Sequence, residues 1–234
     1  YGLKHYAEDK STGILMMSYR YHDEPKTYIW FPGEPLPAFV QSPQDYQLYA
    51  FNAEFEYAIW NGTGRRINKF PELKLSFITC VMALCSRYGI PQSLGVAADV
   101  LKTPIRKNPE GYMLIKHFCV PPFPSVYRGD PRWERFVSYC IDDTNAEYGV
   151  LKALPAEHLN EEERWIWEET VRMNTEGIPV DYVSAKQIRR EAENYRAANY
   201  ELLPDLTEGR ITKITQTQRI VKYCNDYDVQ LPDC

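Results

Sequence analysis

Apolar positions along the chain change period twice, and each change predicts a different kind of element. From Gly13 to Trp30 the runs ILMMSYRY and KTYIWF flank His22-Asp23-Glu24-Pro25, which predicts two strands joined by a proline-containing turn. The FPGEPLPAF segment that follows reads as a proline-rich surface connection. From Leu48 the run LYAFNAEFEYAIWN starts as a short apolar strand and continues as a helix, with Asn52 at the junction to satisfy free amides as an N-cap-like side chain. Residues 77–88, FITCVMALCSRY, predict a buried helix that stops at Gly89 and Pro91, and Ser93 caps the next one, SLGVAADVLK.

The longest patterned stretch is DPRWERFVSYCIDDTNAEYGVLKAL, Asp130 to Leu154. Asp130 is placed to be its N-cap, and Pro131 stands where a first helical turn tolerates proline. Phe136, Cys140, Val150 and Leu151 approximate an apolar stripe, so Tyr139 and Asp143, four residues apart, lie together beside it and face neighbouring structure. After Pro155 the pattern is helical throughout. Asn160 and Glu163 form a capping-box signature, Gly177 ends that helix, Ile178 to Asp181 is a link, and a second long helix runs from about Ser184 to Leu203. Together these elements predict an α/β domain over about residues 1–155 followed by a helical extension over 156–234.

Composition narrows the function classes. With 44% hydrophobic and 14% aromatic residues in 234, the chain has material for a sizeable core. A net charge of −5 argues against a uniformly basic nucleic-acid binder and leaves room for local basic patches. Two such patches stand out. Lys102, Arg106, Lys107 and Lys116 are set against one acid, Glu110, and RITKITQTQRIVK (210–222) carries Lys213, Gln216 and Arg219 among its basic and amide side chains, with no acid. Either patch suits phosphate contact, and either suits a solvated loop or helix face.

The six cysteines, at 80, 85, 119, 140, 224 and 234, include no C-x-x-C pair, and the four histidines are scattered. Reduced thiols in a cytosolic setting are expected, without structural zinc. No apolar run approaches the ~20 residues that span a bilayer, and no signal-peptide arrangement opens the chain. A start on Tyr1, inside patterned sequence, reads as a piece of a longer protein. P-loop, dinucleotide-binding and G-x-S-x-G elements are absent from the sequence. Trp133, Trp165 and Trp167 fit core positions or interface anchors, and Cys80 and Cys85 fit small apolar packing roles on a buried helix.

The run Asn52-Ala53-Glu54-Phe55-Glu56 resembles the second motif of the 3′→5′ exonuclease domain of family A DNA polymerases, the phage-encoded branch in particular. Tyr139 to Asp143 resembles that family's third motif, a Tyr-x-x-x-Asp run. SLGVAADVLK and IKHFCVPP occupy the places between, and WIWEETVRMNTEGIPVD is similar to the connector into the polymerase thumb. The resemblance implies a ribonuclease-H-like fold, a mixed sheet flanked by helices, and two-metal hydrolysis of a phosphodiester at a DNA 3′ end with Mg²⁺ or Mn²⁺. It further implies Asp143 and Glu56 as metal ligands and catalytic acids, and Tyr139 as the residue that orients the attacking water. Asn52, Lys107, Lys213, Gln216 and Arg219 would hold substrate. The partners implied are the single-stranded 3′ end of a DNA primer and the remainder of the polymerase, in the cytoplasm of a phage-infected or bacterial cell.

The sequence departs from the family pattern at three points. The first motif, an Asp-x-Glu pair on the opening strand, has no match: Glu8-Asp9 follows the place expected for that strand, and Asp23-Glu24 lies in the hairpin turn. Glu56 stands where better-known members carry Asp and reaches one methylene further. The palm and fingers are also missing from these residues, so DNA synthesis by the chain is not expected. An exonuclease-like module that binds DNA or a protein without cutting is the alternative.

Overall fold

A computed structural model describes residues 2–104, 111–124 and 127–229. The chain forms two compact units, residues 1–177 and 178–234.

The first unit opens with helix α1 (Leu3–Glu8) and the predicted hairpin, β1 (Met17–Arg20) paired antiparallel with β2 (Thr27–Trp30), with Met17 opposite Trp30 and Arg20 opposite Thr27. The proline-rich connection is less superficial than expected at its far end. Pro37 is buried and leads into a short helix, α2 (Ala38–Gln41), whose Phe39 and Val40 enter the core beside Trp30. Strand β3 (Leu48–Ala50) then runs into α3 (Ala53–Ile59) as predicted, and a π-helical turn (Trp60–Gly64) continues into α4 (Arg65–Asn68). Gly64 is required there because a Cβ would fall 2.6 Å from the Phe70 ring.

Residues 77–88 depart from expectation. They divide into a strand, β4 (Ile78–Cys80), and helix α5 (Val81–Arg87), with β4 parallel to β3 and Ala50 opposite Cys80. Every residue of β4 is buried. A strand covered on both faces shows a continuous apolar run in place of alternation, so in sequence it merged with the helix behind it.

Ser93 occupies the N-cap position of α6 (Leu94–Val100), although its side chain makes no capping bond. The basic segment 102–116 is not a plain loop throughout: Lys116 lies on helix α7 (Gly111–Cys119), whereas Arg106 and Lys107 lie outside the described residues. The long helix α8 spans Trp133–Ala153, starting later than expected. Asp130 accepts the Arg132 amide at 2.8 Å in a turn before the helix, so it caps that turn and Pro131 stays outside the helix. Asp130 also meets His117 Nε2 at 2.7 Å and the Arg132 guanidinium at 3.0 Å, and the bonds from Arg132 hold its carboxyl well below the usual range.

Helix α8 organises this unit. On one side the hairpin lies against it: Ser18 Oγ reaches the Cys140 carbonyl at 2.8 Å and also bonds Thr144, Thr27 Oγ1 donates to Asn145 Oδ1 at 2.6 Å, and the Tyr148 hydroxyl donates to the His22 carbonyl at 2.9 Å. On another, Val150 and Leu151 share a core cluster with Val81, Leu84 and Cys85 of α5 and Ala97 and Ala98 of α6. At its N-terminal half, Trp133, Phe136 and Tyr139 cluster with Leu114 and Phe118 of α7. Helix α9 (Glu161–Glu176) begins with the predicted capping box, Asn160 Oδ1 accepting the Glu163 amide at 2.8 Å and Glu163 accepting the Asn160 amide at 3.1 Å. Trp133 is core, Trp167 packs against the separate cluster that holds Trp30 and Trp60, and Trp165 is 62% exposed.

The second unit contains α10 (Tyr182–Leu206), capped by Asp181, and α11 (Thr217–Asp226). Among its described residues, Ile211 and Thr207 are buried. The architecture is mixed α/β, with two small two-stranded sheets among the described residues and helices flanking and following them. Among the described residues no helix is long and apolar enough to cross a membrane.

Candidate active site

Two elements carry the described sequence-predicted residues of the first unit. The β3–α3 junction contributes Asn52, at the N-cap of α3, and Glu56, four residues on within the helix. Helix α8 contributes Tyr139 and Asp143.

Asn52 holds the N-cap position with non-helical φ −115° and ψ 69°, but its side chain makes no capping bond; the first turn is closed by the Phe55 amide on the Asn52 carbonyl at 2.8 Å. The expected capping role is therefore filled by backbone, and the amide side chain is exposed at the edge of a cleft of about 450 Å³ lined also by Met82, Arg87, Glu163 and Trp167. Cys80 ends β4 beneath this junction. Its Sγ points at the Phe51 carbonyl at 3.5 Å, and burial raises its thiol above the ordinary value.

Tyr139 is held on two sides. Its ring stacks on Phe136 (6.4 Å between centroids, 9° between planes), which stacks in turn on Phe118 (4.9 Å, 15°). The other side is Gly111, where a Cβ would lie 2.2 Å from the Tyr139 ring, so only glycine admits the phenol there. Burial, and then a hydrogen bond with Asp143, push the Tyr139 hydroxyl above its ordinary value, so at neutral pH it is a protonated donor to that carboxylate.

Sequence reasoning missed Glu147, four residues beyond Asp143 on the same face. Burial raises its carboxyl to about 8, with the negative charges of Glu56 and Asp143 adding to the shift and the Phe51 amide opposing it. Glu147 thus feels the charge of Glu56 from α3 as well as that of Asp143 on its own helix, and through the Phe51 amide it faces the junction that carries Asn52. The signal was present as the spacing Tyr139, Asp143, Glu147 at i, i+4 and i+8. Glu56 is exposed as a residue, yet its carboxyl group is closely surrounded by protein, and lost hydration raises it to about 7.

The carboxyls of Glu56, Asp143 and Glu147 are hard oxygen donors of the kind that suit Mg²⁺ or Mn²⁺. Their placement does not amount to a cage: among the described residues, no three His, Cys, Asp or Glu side chains are gathered closely enough to hold an ion.

The remaining predicted contacts are elsewhere. Lys107 lies outside the described residues. Lys213, Gln216 and Arg219 belong to the second unit: Lys213 is exposed in the turn before α11, Gln216 accepts the Thr212 amide at 2.9 Å, and Arg219 is exposed on the helix. The stretch 210–222 is therefore helical only from Thr217.

A DNA polymerase of Bacillus phage SP02 is 28% identical to this chain over 214 residues, which cover 84% of the chain and 32% of that protein. The chain is distantly homologous to a phage DNA polymerase. It spans about a third of that relative's length. No protein-family model matches the chain, and no solved structure does.

Proposed function

We propose that the chain is the 3′→5′ exonuclease portion of a family A, phage-type DNA polymerase, over about residues 1–155, with the connector and start of the thumb over 156–234. The reading takes the α/β unit to be ribonuclease-H-like. Its substrate is the single-stranded 3′ end of a DNA primer, and the remainder of a polymerase is its partner. The reading is supported by Glu147 of α8, whose carboxyl feels the charges of both Glu56, from the Asn52-to-Glu56 run, and Asp143, in a chain related over most of its length to a DNA polymerase.

Asp143 and Glu56 are the residues that would hold a divalent cation. When bound, such an ion supplies charge neutralisation at the phosphate and activation of water. Tyr139 keeps its proton and orients Asp143 by hydrogen bonding, a positioning role that needs no phenolate. Asn52 presents its amide at the cleft edge, where it can meet a sugar or phosphate oxygen of the strand. Lys213 and Arg219 offer exposed charge for phosphate contact.

The test is digestion of a 5′-labelled primer with a mismatched 3′ end, in Mg²⁺ or Mn²⁺, by the chain and its Asp143→Ala variant. Stepwise shortening abolished by Asp143→Ala supports the exonuclease reading. Shortening by both forms alike contradicts it. A second reading, a module that holds DNA without cutting, is favoured by the incomplete ligand set among the described residues. It predicts no shortening by either form, with oligonucleotide affinity that declines linearly in log salt.

A further inference from the structure

Helix α10 carries a pattern that its own fold does not use. Ile188, Tyr195 and Leu202 recur at intervals of seven and are 68%, 75% and 51% exposed. Beside them, three or four residues away, runs a second line of Ala185, Ala192, Asn199 and Leu206, all exposed. The Asp181 cap and the Arg189–Glu193 pair make this stretch a helix, but neither requires the apolar side chains to share a line. A seven-residue repeat stays on one face only when a helix winds about another at 3.5 residues per turn. In heptad terms the alanine, asparagine and Leu206 line occupies the a positions, and Ile188, Tyr195 and Leu202 occupy the d positions.

The flanking positions select the partner. One flank, e, carries Arg189 and Arg196; the other, g, carries Glu191 and Asp205. When two copies lie parallel and in register, Glu191 comes beside Arg196 of the partner subunit, and two-fold symmetry makes the contact twice. Antiparallel copies would instead set arginines against arginines and acids against acids. Within its own helix Arg196 meets the Tyr200 hydroxyl at 3.2 Å and Glu191 accepts from the Gln187 amide at 3.3 Å, so among the described residues neither charge is matched by an opposite one. Asn199 is the second sign of self-pairing. A lone amide at an a position is costly against an apolar partner, whereas in a parallel dimer it meets its own copy and fixes the register.

We propose that α10 pairs with α10 of a second copy of this chain as a parallel two-stranded coiled coil over residues 185–206. Pro204, inside the helix, falls at the position that faces away from the seam. The pairing does not depend on the exonuclease reading. A seam of about three heptads with alanine at two of its layers is a weak one, so separate chains predominate at low micromolar concentration.

The experiment is sedimentation equilibrium of the full chain from micromolar to millimolar concentration. Wild type is compared with Ile188→Asp, Glu191→Lys, Arg196→Glu and the double variant Glu191→Lys/Arg196→Glu, each checked for helix content by circular dichroism. Wild type is expected to show a reversible monomer–dimer equilibrium, which Ile188→Asp abolishes by placing a charge in the seam. Each single charge reversal is expected to weaken it about 2- to 30-fold, and the double variant to restore it. An equimolar mixture of the two single variants should associate more tightly than either alone. Wild type that stays monomeric throughout overturns the pairing and assigns the stripe to a different partner. A dimer indifferent to Ile188→Asp overturns it by placing the contact on another face, and a dimer that needs Ile188 but is unweakened by either charge reversal overturns the parallel arrangement.

Discussion

Two long helices in this chain come to opposite ends. Helix α8, 21 residues, buries Trp133, Phe136, Tyr139, Ala146, Val150 and Leu151, and is packed by the hairpin, α5, α6 and α7. Helix α10, 25 residues, buries none. Its helical form comes from local devices: Asp181 accepting two amides at 3.1 Å, and one-turn pairs such as Arg189 with Glu193 at 2.8 Å. A helix needs only its own sequence to be a helix, but chemistry on a helix needs surroundings. Tyr139 and Glu147 have shifted proton affinities because protein surrounds α8; no comparable burial acts on the described residues of α10.

The largest way to break this contrast is truncation. Phe136→Ala is expected to cost ~3–5 kcal/mol and Leu151→Ala ~2–5 kcal/mol, by lost burial plus cavity. Leu202→Ala, at a position 51% exposed on α10, should stay within ~0.5 kcal/mol. Urea unfolding of the three variants checks the ordering, and equal losses at Leu202 and Leu151 would end the contrast. Gly111→Ala comes next. Its methyl group enters the Tyr139 ring, so about 1–3 kcal/mol of overpacking cost is expected, with a changed near-ultraviolet tyrosine signal. Asn160→Ala should follow at about 1 kcal/mol, from loss of the capping box on α9.

A smaller effect separates the two helices by pH. The Glu56 and Glu147 carboxyls are raised from the ordinary 4.5 to about 7 and about 8. Between 4.5 and these values the folded chain binds more protons than the unfolded chain. Their contribution therefore favours folding below about 4.5 and is lost as pH rises through about 7 to 8 in the metal-free protein. Melting temperatures measured from pH 5 to 9 should fall across this window, and Glu147→Gln should flatten the fall. Arg189→Ala on α10 should leave the profile unchanged.

Much of this was legible in the sequence where a local device writes the structure. The hairpin, the β3–α3 junction, the Asn160–Glu163 box and the α8 stripe each rest on neighbours in sequence. What was hidden depends on distant partners. β4 could not be separated from α5 until β3 lay beside it, and Asp130 looks like a helix cap until Arg132 and His117 claim its oxygens. Asn52 was found, but its cap was made by backbone. Glu147 looked like any surface acid, because its environment is supplied by Phe51 and Glu56, more than ninety residues away. Gly111 gave no sign that a ring 28 residues on rests against it.

The central proposal is that Glu56 of α3 and Asp143 of α8 would hold a divalent cation. Calorimetric titration of the chain with Mn²⁺ at pH 8, beside its Asp143→Ala and Glu56→Gln variants, tests it most directly. The account predicts saturable binding at this pH, where the Glu56 carboxyl, raised to about 7, is mostly ionised and able to coordinate, and at least about tenfold weaker binding in both variants. Equal binding by wild type and both variants, or no binding by any of them, would contradict it.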